Sequence, residues 1–249
     1  MPHFFINSNS ITSDICKIDD KDNFNHISKS LRIKVGEKLL LIDENKIQYE
    51  TTVDTISKSE LTAKIVKSYP SKRFLDFDLY LAQSPLRSDA QSFIIEKATE
   101  LGVKGIYPVY TDNCALKKDV IAKKIEKWQK TMFEASKQCE RAFVPDCFEL
   151  TTIKHLVERE KFDKIIAFCE RITEKTLRDF TCKNPIKKGE KVLVIIGPEG
   201  GFSDSEFEFF KTKDIEMLTL GNLILKAETA VTVGLGNIIY EYENQIRNH

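Results

Sequence analysis

The first part of the chain consists of short, strand-like apolar runs separated by polar turns. The runs predict strands over 38–42, 47–56 and 61–66. A polar turn at 43–46 joins the first two, and a short helical turn over 26–32 is predicted before them. Turn residues and charge at 69–73 then indicate a boundary. We therefore expect a small β-barrel over residues 1–72.

Beyond residue 72 the pattern changes to strands that alternate with helices. The predicted strands are 77–83, 105–109, 164–169, 192–196 and 217–220. The predicted helices are 89–101, 119–139, 153–160, 203–211 and 226–243. The second helix carries apolar residues at three- and four-residue steps, the spacing of one buried helix face. This alternation predicts the α/β class, with a mostly parallel sheet covered by helices on both faces, over residues 73–249.

Composition is that of an ordinary globular protein of 249 residues, 41% of them hydrophobic. No apolar run approaches a membrane span, and the chain starts without a signal-peptide pattern, so we expect a cytoplasmic protein with no membrane partner. The six cysteines form no C-x-x-C pair and have no histidine at zinc-finger spacing. They predict reduced thiols and no metal site.

The chain has 38 basic and 38 acidic residues, so its net charge does not indicate nucleic-acid binding. Locally, basic residues outnumber acidic ones over 117–141 and over 171–191. Two such segments in one domain fit a polyanionic partner. Each segment alone also fits a solvated helix face, and both interpretations stay open.

The most informative stretch is 192–203. A continuous apolar run, typical of a strand buried on both faces, breaks into Gly-Pro-Glu-Gly-Gly. Ser203 then has the place of a helix N-cap, and Glu206 completes a capping box. Strand, glycine loop and helix start is the layout by which α/β proteins bring backbone amides close to a ligand. A plain turn is the alternative.

A second strand ends at Gly221, shortly before the last predicted helix. Loops at the carboxyl ends of neighbouring strands lie side by side, so both glycine loops are expected to wall one pocket. Neither loop is a G-x-G-x-x-G or G-x-x-x-x-G-K-[ST] fingerprint. The sequence therefore disfavours an NAD-dependent enzyme and a P-loop nucleotide-binding protein.

Taken together, 197–202, 220–221 and 225–230 closely resemble the 16S ribosomal RNA uridine-N3-methyltransferase family (RsmE), of the SPOUT class. The resemblance runs nearly end to end, through further matching segments in the family's order at 1–5, 26–36, 96–103 and 134–141. The chain departs from the family's arginines at Asn113, Leu223 and Lys226, and has Arg87 where lysine is usual. The cofactor loops are intact.

The resemblance implies a PUA-like β-barrel over 1–72 and a SPOUT α/β domain with a deep trefoil knot over 73–249. It implies a homodimer that binds S-adenosyl-L-methionine in a bent form and methylates N3 of a uridine in 16S rRNA, within the small ribosomal subunit. One alternative is a SPOUT enzyme acting on another RNA, such as tRNA. The other is a non-catalytic RNA-binding assembly factor, against which the intact glycine loops argue.

Candidate site residues follow from the same loops. Glycines clear side chains from an adenine slot that leucine and alanine would wall. The predicted cofactor contacts are Gly197, Glu199, Gly200, Gly201, Leu220, Gly221, Leu225, Thr229 and Ala230. For Thr229, a place in the first turn of a helix is the alternative to ligand contact.

Uracil N3 carries a proton that must leave, so a base or stabilisation of the uracil anion is expected. Glu199 and Glu228 are candidate bases, although either could instead hold the cofactor's ribose or amino group, and Glu228 could simply favour a helix start. Arg87 is the candidate for steadying the anionic oxygen. The predicted RNA-phosphate contacts are Arg32, Arg87 and Arg141, with an ordinary surface ion pair as the alternative for each.

Overall fold

The computed structural model describes residues 1–170 and 172–247. Arg171, the first residue of the second basic segment, and the last two residues of the predicted domain 73–249 lie outside the described residues. The described chain forms two compact units. The first is Met1–Phe74 with Ser136–Val144, and the second is Leu75–Ala135 with the described residues from Pro145 onward.

The first unit is built on a six-stranded sheet. Its strands are β1 (His3–Phe5), β2 (Ile11–Thr12), β3 (Ile15–Ile18), β4 (Lys38–Ile42), β5 (Ile47–Ile56) and β6 (Leu61–Pro70). A 3-10 turn (Ser8–Ser10) precedes β2, and helix α1 (Lys21–Asn25) runs into a π-helical turn (His26–Ser30). The strand order is β1-β4-β5-β6-β3-β2, in which β1 and β4 are parallel and the other pairs antiparallel.

The predicted strands β4 and β5 are confirmed to the residue, and β6 extends beyond its prediction. It continues to Pro70, because a proline at the end of a strand removes no essential ladder hydrogen bond. The predicted boundary at 69–73 therefore begins inside a strand. Pairing among the described strands ends at β1 and β2, so hydrogen bonds do not close the expected barrel there. Strands β1–β3 were not predicted from the sequence.

A buried aliphatic cluster fills the first unit, and His3 lies buried in the same unit. Leu39, Leu41 and Leu61 have no exposed surface, and each stabilises the unit by about 1.5–3 kcal/mol. His3 is 5% exposed, and its ring meets that of Phe5 edge-on at 5.3 Å. Neither ring nitrogen has a hydrogen-bond partner in the described structure. Burial lowers the pKa of His3 to about 4, because a charged imidazolium would lose its hydration.

The second unit alternates strands and helices. Its strands are β7 (Asp78–Gln83), β8 (Gly105–Pro108), β9 (Asp146–Cys147), β10 (Lys164–Phe168), β11 (Lys191–Ile196) and β12 (Glu216–Leu218). The helices that follow them are α2 (Ser88–Glu100), α3 (Lys118–Ala122), α4 (Ile125–Gln138), α5 (Ile153–Arg159), α6 (Leu177–Lys183), α7 (Asp204–Thr212) and α8 (Ala227–Arg247).

The strand order in this sheet is β12-β10-β11-β7-β8-β9, and all pairings between its named strands are parallel. The predicted α/β class with a parallel sheet is therefore confirmed. Strand β11 lies between β10 and β7, and its residues 192–196 are all buried. This central place explains the uninterrupted apolar run, since both faces of the strand are covered.

The prediction of one helix over 119–139 is wrong, because α3 and α4 are separate helices on either side of residues 123–124. The segment contains neither proline nor glycine, so the sequence carries no breaker that signals the interruption. The apolar stripe is nevertheless buried at Ile121, Trp128 and Met132. Strand β9 and helix α6 were not predicted.

No helix in the described part of the chain combines the length and the apolar character needed to cross a membrane. Within residues 1–170 and 172–247, no group of three or more His, Cys, Asp or Glu side chains is placed to hold a metal ion.

Candidate functional site

Three neighbouring parallel strands, β12, β10 and β11, bring their carboxyl ends to one edge of the second unit's sheet. Residues 197–203, here the first glycine loop, follow β11, and residues 219–226, the second glycine loop, follow β12. Both loops line a cavity of about 770 Å³ together with residues at the end of β10. Ligand sites of α/β proteins lie at this edge, and small-molecule pockets span roughly 300–1,000 Å³.

The walls of the cavity are mainly apolar, with charged groups among them. Aliphatic and aromatic side chains come from both loops and from the strand ends, and include Phe168, Ile196, Phe202, Leu220 and Leu225. The charged lining residues in the described structure are Glu170, Glu199, Lys226 and Glu228. An apolar slot edged by carboxylates suits a flat heterocycle that carries hydroxyl or amino groups.

Cys169 also lines the cavity, but its thiol is a weak nucleophile. Its side chain is buried, and burial raises the pKa of the thiol to about 12. Because the thiolate is the nucleophilic form, Cys169 stays protonated and unreactive near neutral pH. The cavity therefore shows no sign of cysteine-based covalent catalysis at this residue.

The first glycine loop is packed closely and ends in the predicted capping box. Ser203 Oγ accepts from Glu206 N at 3.3 Å, and Glu206 accepts from Ser203 N at 2.9 Å, which confirms that prediction. Burial raises the pKa of Glu206. A Cβ on Gly197 would lie 3.2 Å from the Phe202 ring, so a side chain there would press on that ring.

The second glycine loop contains a glycine that is favoured by its backbone conformation rather than by the space around it. Gly221 has φ +125°, which L-residues rarely adopt, while a Cβ there would meet open space. Thr219 Oγ1 accepts from Gly221 N at 3.1 Å and donates to Gly221 O at 2.9 Å. Glu170, two residues beyond the end of β10, accepts from Leu225 N at 3.1 Å. The side chains between these contacts are exposed, Leu223 by 77% and Ile224 by 61%.

Most of the predicted cofactor residues meet in the cavity. The predicted residues that line it are Gly197, Glu199, Gly200, Gly201, Leu220, Leu225, Glu228 and Ala230. Gly221 lines a neighbouring cavity of about 550 Å³, which shares Glu170 and Ile224 with the first. Thr229 is exposed and is absent from the lining of both cavities, whereas Glu228 and Ala230 line the first.

The three predicted arginines have different surroundings. Arg87 is exposed just before α2, and it does not line the cavity, although Ala90 on the first turn of that helix does. Arg32 is exposed in the first unit with φ +52°, directly after the π-helical turn. RNA contact by these two stays a prediction.

Arg141 differs from its prediction as a surface phosphate contact. Its side chain is only 5% exposed, and its guanidinium carbon lies 4.7 Å from the centre of the Phe143 ring. Burial lowers its pKa to about 10. The guanidinium is thus used in packing against an aromatic ring, because the segment after α4 folds it inward rather than presenting it to solvent.

Sequence reasoning missed the residues that hold the two loops. Glu170 lies two residues after the end of strand β10, and the rule that sites gather at carboxyl ends of strands could have found it. Asp112 and Asn113 contact the first glycine loop from the segment after β8. That contact depends on the order of strands in the sheet, which no local pattern in the sequence indicates.

Comparison with known proteins agrees with this architecture. Residues 74–239 match the RNA methyltransferase domain family, and residues 18–66 match the RNA methyltransferase PUA domain family. Ribosomal RNA small subunit methyltransferase E of Mesomycoplasma hyopneumoniae is 31% identical over 83% of this chain and 86% of its own length. The protein of the same name from Bacillus subtilis is 27% identical over 89% of each chain.

Solved structures give the same fold. A Legionella pneumophila protein in complex with the cofactor SAM superposes with a TM-score of 0.82 at 25% identity, covering 95% of this chain and 96% of that one. Ribosomal RNA small subunit methyltransferase E of Neisseria gonorrhoeae, bound to S-adenosyl methionine, gives a TM-score of 0.80 at 24% identity, over 96% of each chain. The domain matches and the relatives agree along nearly the whole sequence. The chain belongs to the ribosomal RNA small subunit methyltransferase E family, with an RNA methyltransferase domain and a PUA domain.

Proposed function

We propose that this protein transfers a methyl group from S-adenosylmethionine to N3 of one uridine in 16S rRNA, within the small ribosomal subunit in the cytoplasm. The observation that carries the proposal is the cavity between the two glycine loops, in a chain of this family. Relatives of the same fold are solved with this cofactor bound. The names of the relatives support ribosomal RNA as the substrate class.

The residues present fit S-adenosylmethionine. The cavity of about 770 Å³ has the size of a small-molecule site, and Gly197 and Gly200 keep side chains out of its wall. Leu220, Leu225 and Ala230 supply apolar surface for the adenine. Because the ligand carries hydroxyl groups and a positive charge, the carboxylates that line the cavity are suitable partners for it.

When bound, the cofactor supplies an electrophilic methyl group on a sulfonium. The protein's task is then to hold the uracil N3 in line with that methyl, which is largely positioning. The closely packed first loop and the neighbouring ends of β10 and β12 provide a rigid frame for this alignment. Phe168 and Phe202 add apolar surface to the cavity wall, which disfavours water beside the reacting atoms.

The proton on uracil N3 must leave during the transfer. Glu199 and Glu228 both line the cavity, the first exposed at its rim and the second half-buried at the start of α8. We propose that one of these carboxylates accepts the N3 proton. Glu170 is a weaker choice for this role, because its carboxylate already accepts from Leu225 N.

The proposal also covers how the protein contacts the RNA and in which oligomeric state it acts. Arg32 and Arg87 are exposed and suited to phosphate contacts, with Arg87 near the cavity end of α2. The PUA domain would dock the RNA, and the target uridine must be unpaired or flipped because base pairing hides N3. We further propose the SPOUT class, with its trefoil knot at the carboxyl end of the chain, and a homodimer.

The test is methyl transfer from labelled S-adenosylmethionine to small ribosomal subunits that lack the modification. We expect label on a single uridine, with a stop to reverse transcription because N3 methylation blocks the pairing face. Glu199→Gln and Glu228→Gln should separate the base from its neighbour, since only loss of the base slows transfer without weakening cofactor binding.

If the methyl group is transferred to tRNA but not to the ribosomal subunit, the proposed substrate is wrong and the proposed methyl-transfer reaction stands. Absence of cofactor binding by calorimetry would instead favour an RNA-binding assembly factor. Label at a cytosine, or at uridine carbon, would refute the N3 assignment while leaving an RNA methyltransferase.

A further inference from the structure

The segment after β8 crosses the sheet edge to reach the first glycine loop. Val109 N donates to Gln83 O at 3.0 Å, and the hydroxyl oxygens of Thr111 and Ser84 lie 2.7 Å apart, so the segment passes over the end of β7. Strand β7 lies between β8 and β11. The crossing therefore places residues 112–113 beside the loop that follows β11.

Asp112 holds the end of the first glycine loop at the start of α7. Its Oδ2 accepts from Ser203 Oγ at 2.5 Å and from Ser205 Oγ at 2.9 Å. Its backbone N donates to Glu206 Oε1 at 3.3 Å. The two serine hydroxyls hold the pKa of Asp112 below its usual range, so the carboxylate remains an acceptor at neutral pH.

Asn113 holds the middle of the same loop. Its Nδ2 donates to Gly200 O at 3.3 Å and to Gly201 O at 3.2 Å. A Cβ on Gly200 would lie 3.1 Å from Asn113 Cβ, so the two residues are packed directly against each other. Both glycines line the cavity. The side chain that fixes their carbonyls lies outside the cavity lining.

We propose that Asp112 and Asn113 are positioning residues that hold the first glycine loop in its cavity-lining shape and thereby set the affinity for S-adenosylmethionine. The identity of the ligand rests on the proposed function. Glycine loses more conformational freedom on ordering than any other residue. A loop that is ordered before the ligand arrives spares the binding step that entropy loss.

The chemistry of the side chain at position 113 offers a test of this role. An asparagine amide presents its donor on a short side chain, close to two carbonyl oxygens. An aspartate of the same size would present only acceptors to those carbonyls. Asn113→Ala therefore removes the hydrogen bonds to the loop, whereas Asn113→Asp replaces them with repulsion between oxygen atoms.

The experiment measures S-adenosylmethionine affinity of the full chain by calorimetry. We expect Asn113→Ala to weaken binding about three- to tenfold, the equivalent of one or two lost hydrogen bonds, and Asn113→Asp to weaken it further. The KM for S-adenosylmethionine should rise with kcat on the RNA nearly unchanged. Asn184→Ala is the matched control, because it removes a similar amide contact, Asn184 Nδ2 to Phe180 O at 3.4 Å, outside the cavity lining.

A second readout keeps the proposal independent of the ligand. Hydrogen exchange of residues 197–203 without cofactor should accelerate in Asn113→Ala and Asp112→Ala, and stay at the wild-type rate in Asn184→Ala. Wild-type affinity and wild-type exchange in both Asn113 variants would overturn the inference. Failure of the wild-type protein to bind S-adenosylmethionine would overturn the proposed function, and the exchange rates alone would then decide whether the loop is held by these residues.

Discussion

The two glycine loops line one cavity, yet they are held in place differently. The first starts from buried Gly197 and Pro198, is held in its middle by Asn113, and is fixed at its far end by the capping box and by Asp112. The second is held by Thr219 next to Gly221 and by Glu170 at its exit. Its middle is exposed to solvent.

The glycines themselves are needed for different reasons. In the first loop Gly197 and Gly200 leave room for neighbours, since an added Cβ would approach them to 3.2 Å and 3.1 Å. In the second, Gly221 has open space around it and a backbone with φ +125°. Similar sequence signals therefore report close packing at Gly197 and Gly200 but a left-handed backbone at Gly221, a conformation that Gly201 of the first loop shares with φ +70°.

The largest effect is expected from Gly221→Val. A β-branched residue at φ +125° is strained by about 1–3 kcal/mol, so the second loop should leave its present path. We expect S-adenosylmethionine affinity to fall at least tenfold by calorimetry, an amount equivalent to about 1.4 kcal/mol. The melting temperature should change little, because the exposed loop relieves the strain by moving and buries no core residue at this position.

The matched control is Gly236→Ala in α8, where an added Cβ also meets open space but φ is not in the left-handed region. It should leave the affinity unchanged and stabilise the helix slightly. Equal affinities of the Gly221 and Gly236 variants would show that backbone conformation at the second loop does not matter for binding.

A smaller loss of S-adenosylmethionine affinity is expected from substitution of Glu170, whose carboxylate holds the end of the second loop. Glu170→Ala removes the acceptor for Leu225 N and should weaken S-adenosylmethionine binding about fivefold, as the loss of one hydrogen bond does. Glu170→Gln retains an oxygen acceptor and should weaken it less. Equal losses in the two variants, measured by calorimetry, would mean that the charge of Glu170, rather than its hold on the loop, serves the ligand.

The smallest effect is expected from Gly200→Ala, which tests space in the first loop. The new Cβ would press on Asn113 Cβ at 3.1 Å, and the exposed asparagine can shift by a few tenths of an ångström. We expect about a twofold loss of S-adenosylmethionine affinity. In the Gly200→Ala/Asn113→Ala double variant the two losses should fall short of their sum, because both act through one contact. Additive losses would show that the contact is unimportant.

Sequence patterns predicted the fold well where local periodicity and burial coincide. Strands β4 and β5 agree to the residue, and the apolar run of β11 indicated a central buried strand. The unpredicted strands β1–β3 and β9 are only two to four residues long, too short for a periodic signal. The break between α3 and α4 has no glycine or proline to announce it.

The sequence predicted the glycines of the candidate site but not the residues that hold the glycine loops in place. A glycine loop after a strand is visible in the sequence, whereas Asn113 and Gly200 are far apart along the chain and meet only because β7 lies between β8 and β11. Arg141 shows the opposite error. Its charge suggested a surface contact with RNA, but long-range packing decides whether an arginine is exposed, and here it is buried.

The buried His3 gives the first unit a built-in sensitivity to acid. Its folded pKa of about 4 lies below the ordinary value of 6.5, so the neutral ring is the form that the fold accepts. Stability that depends on it is fully present above pH 6.5 and is lost as the pH falls toward 4, by on the order of 3 kcal/mol. His3→Phe should flatten the fall in urea-unfolding free energy between pH 7 and pH 5, while an unchanged slope would place the proton uptake elsewhere. A side chain with no part in the cavity would then account for part of the first unit's loss of stability in acid.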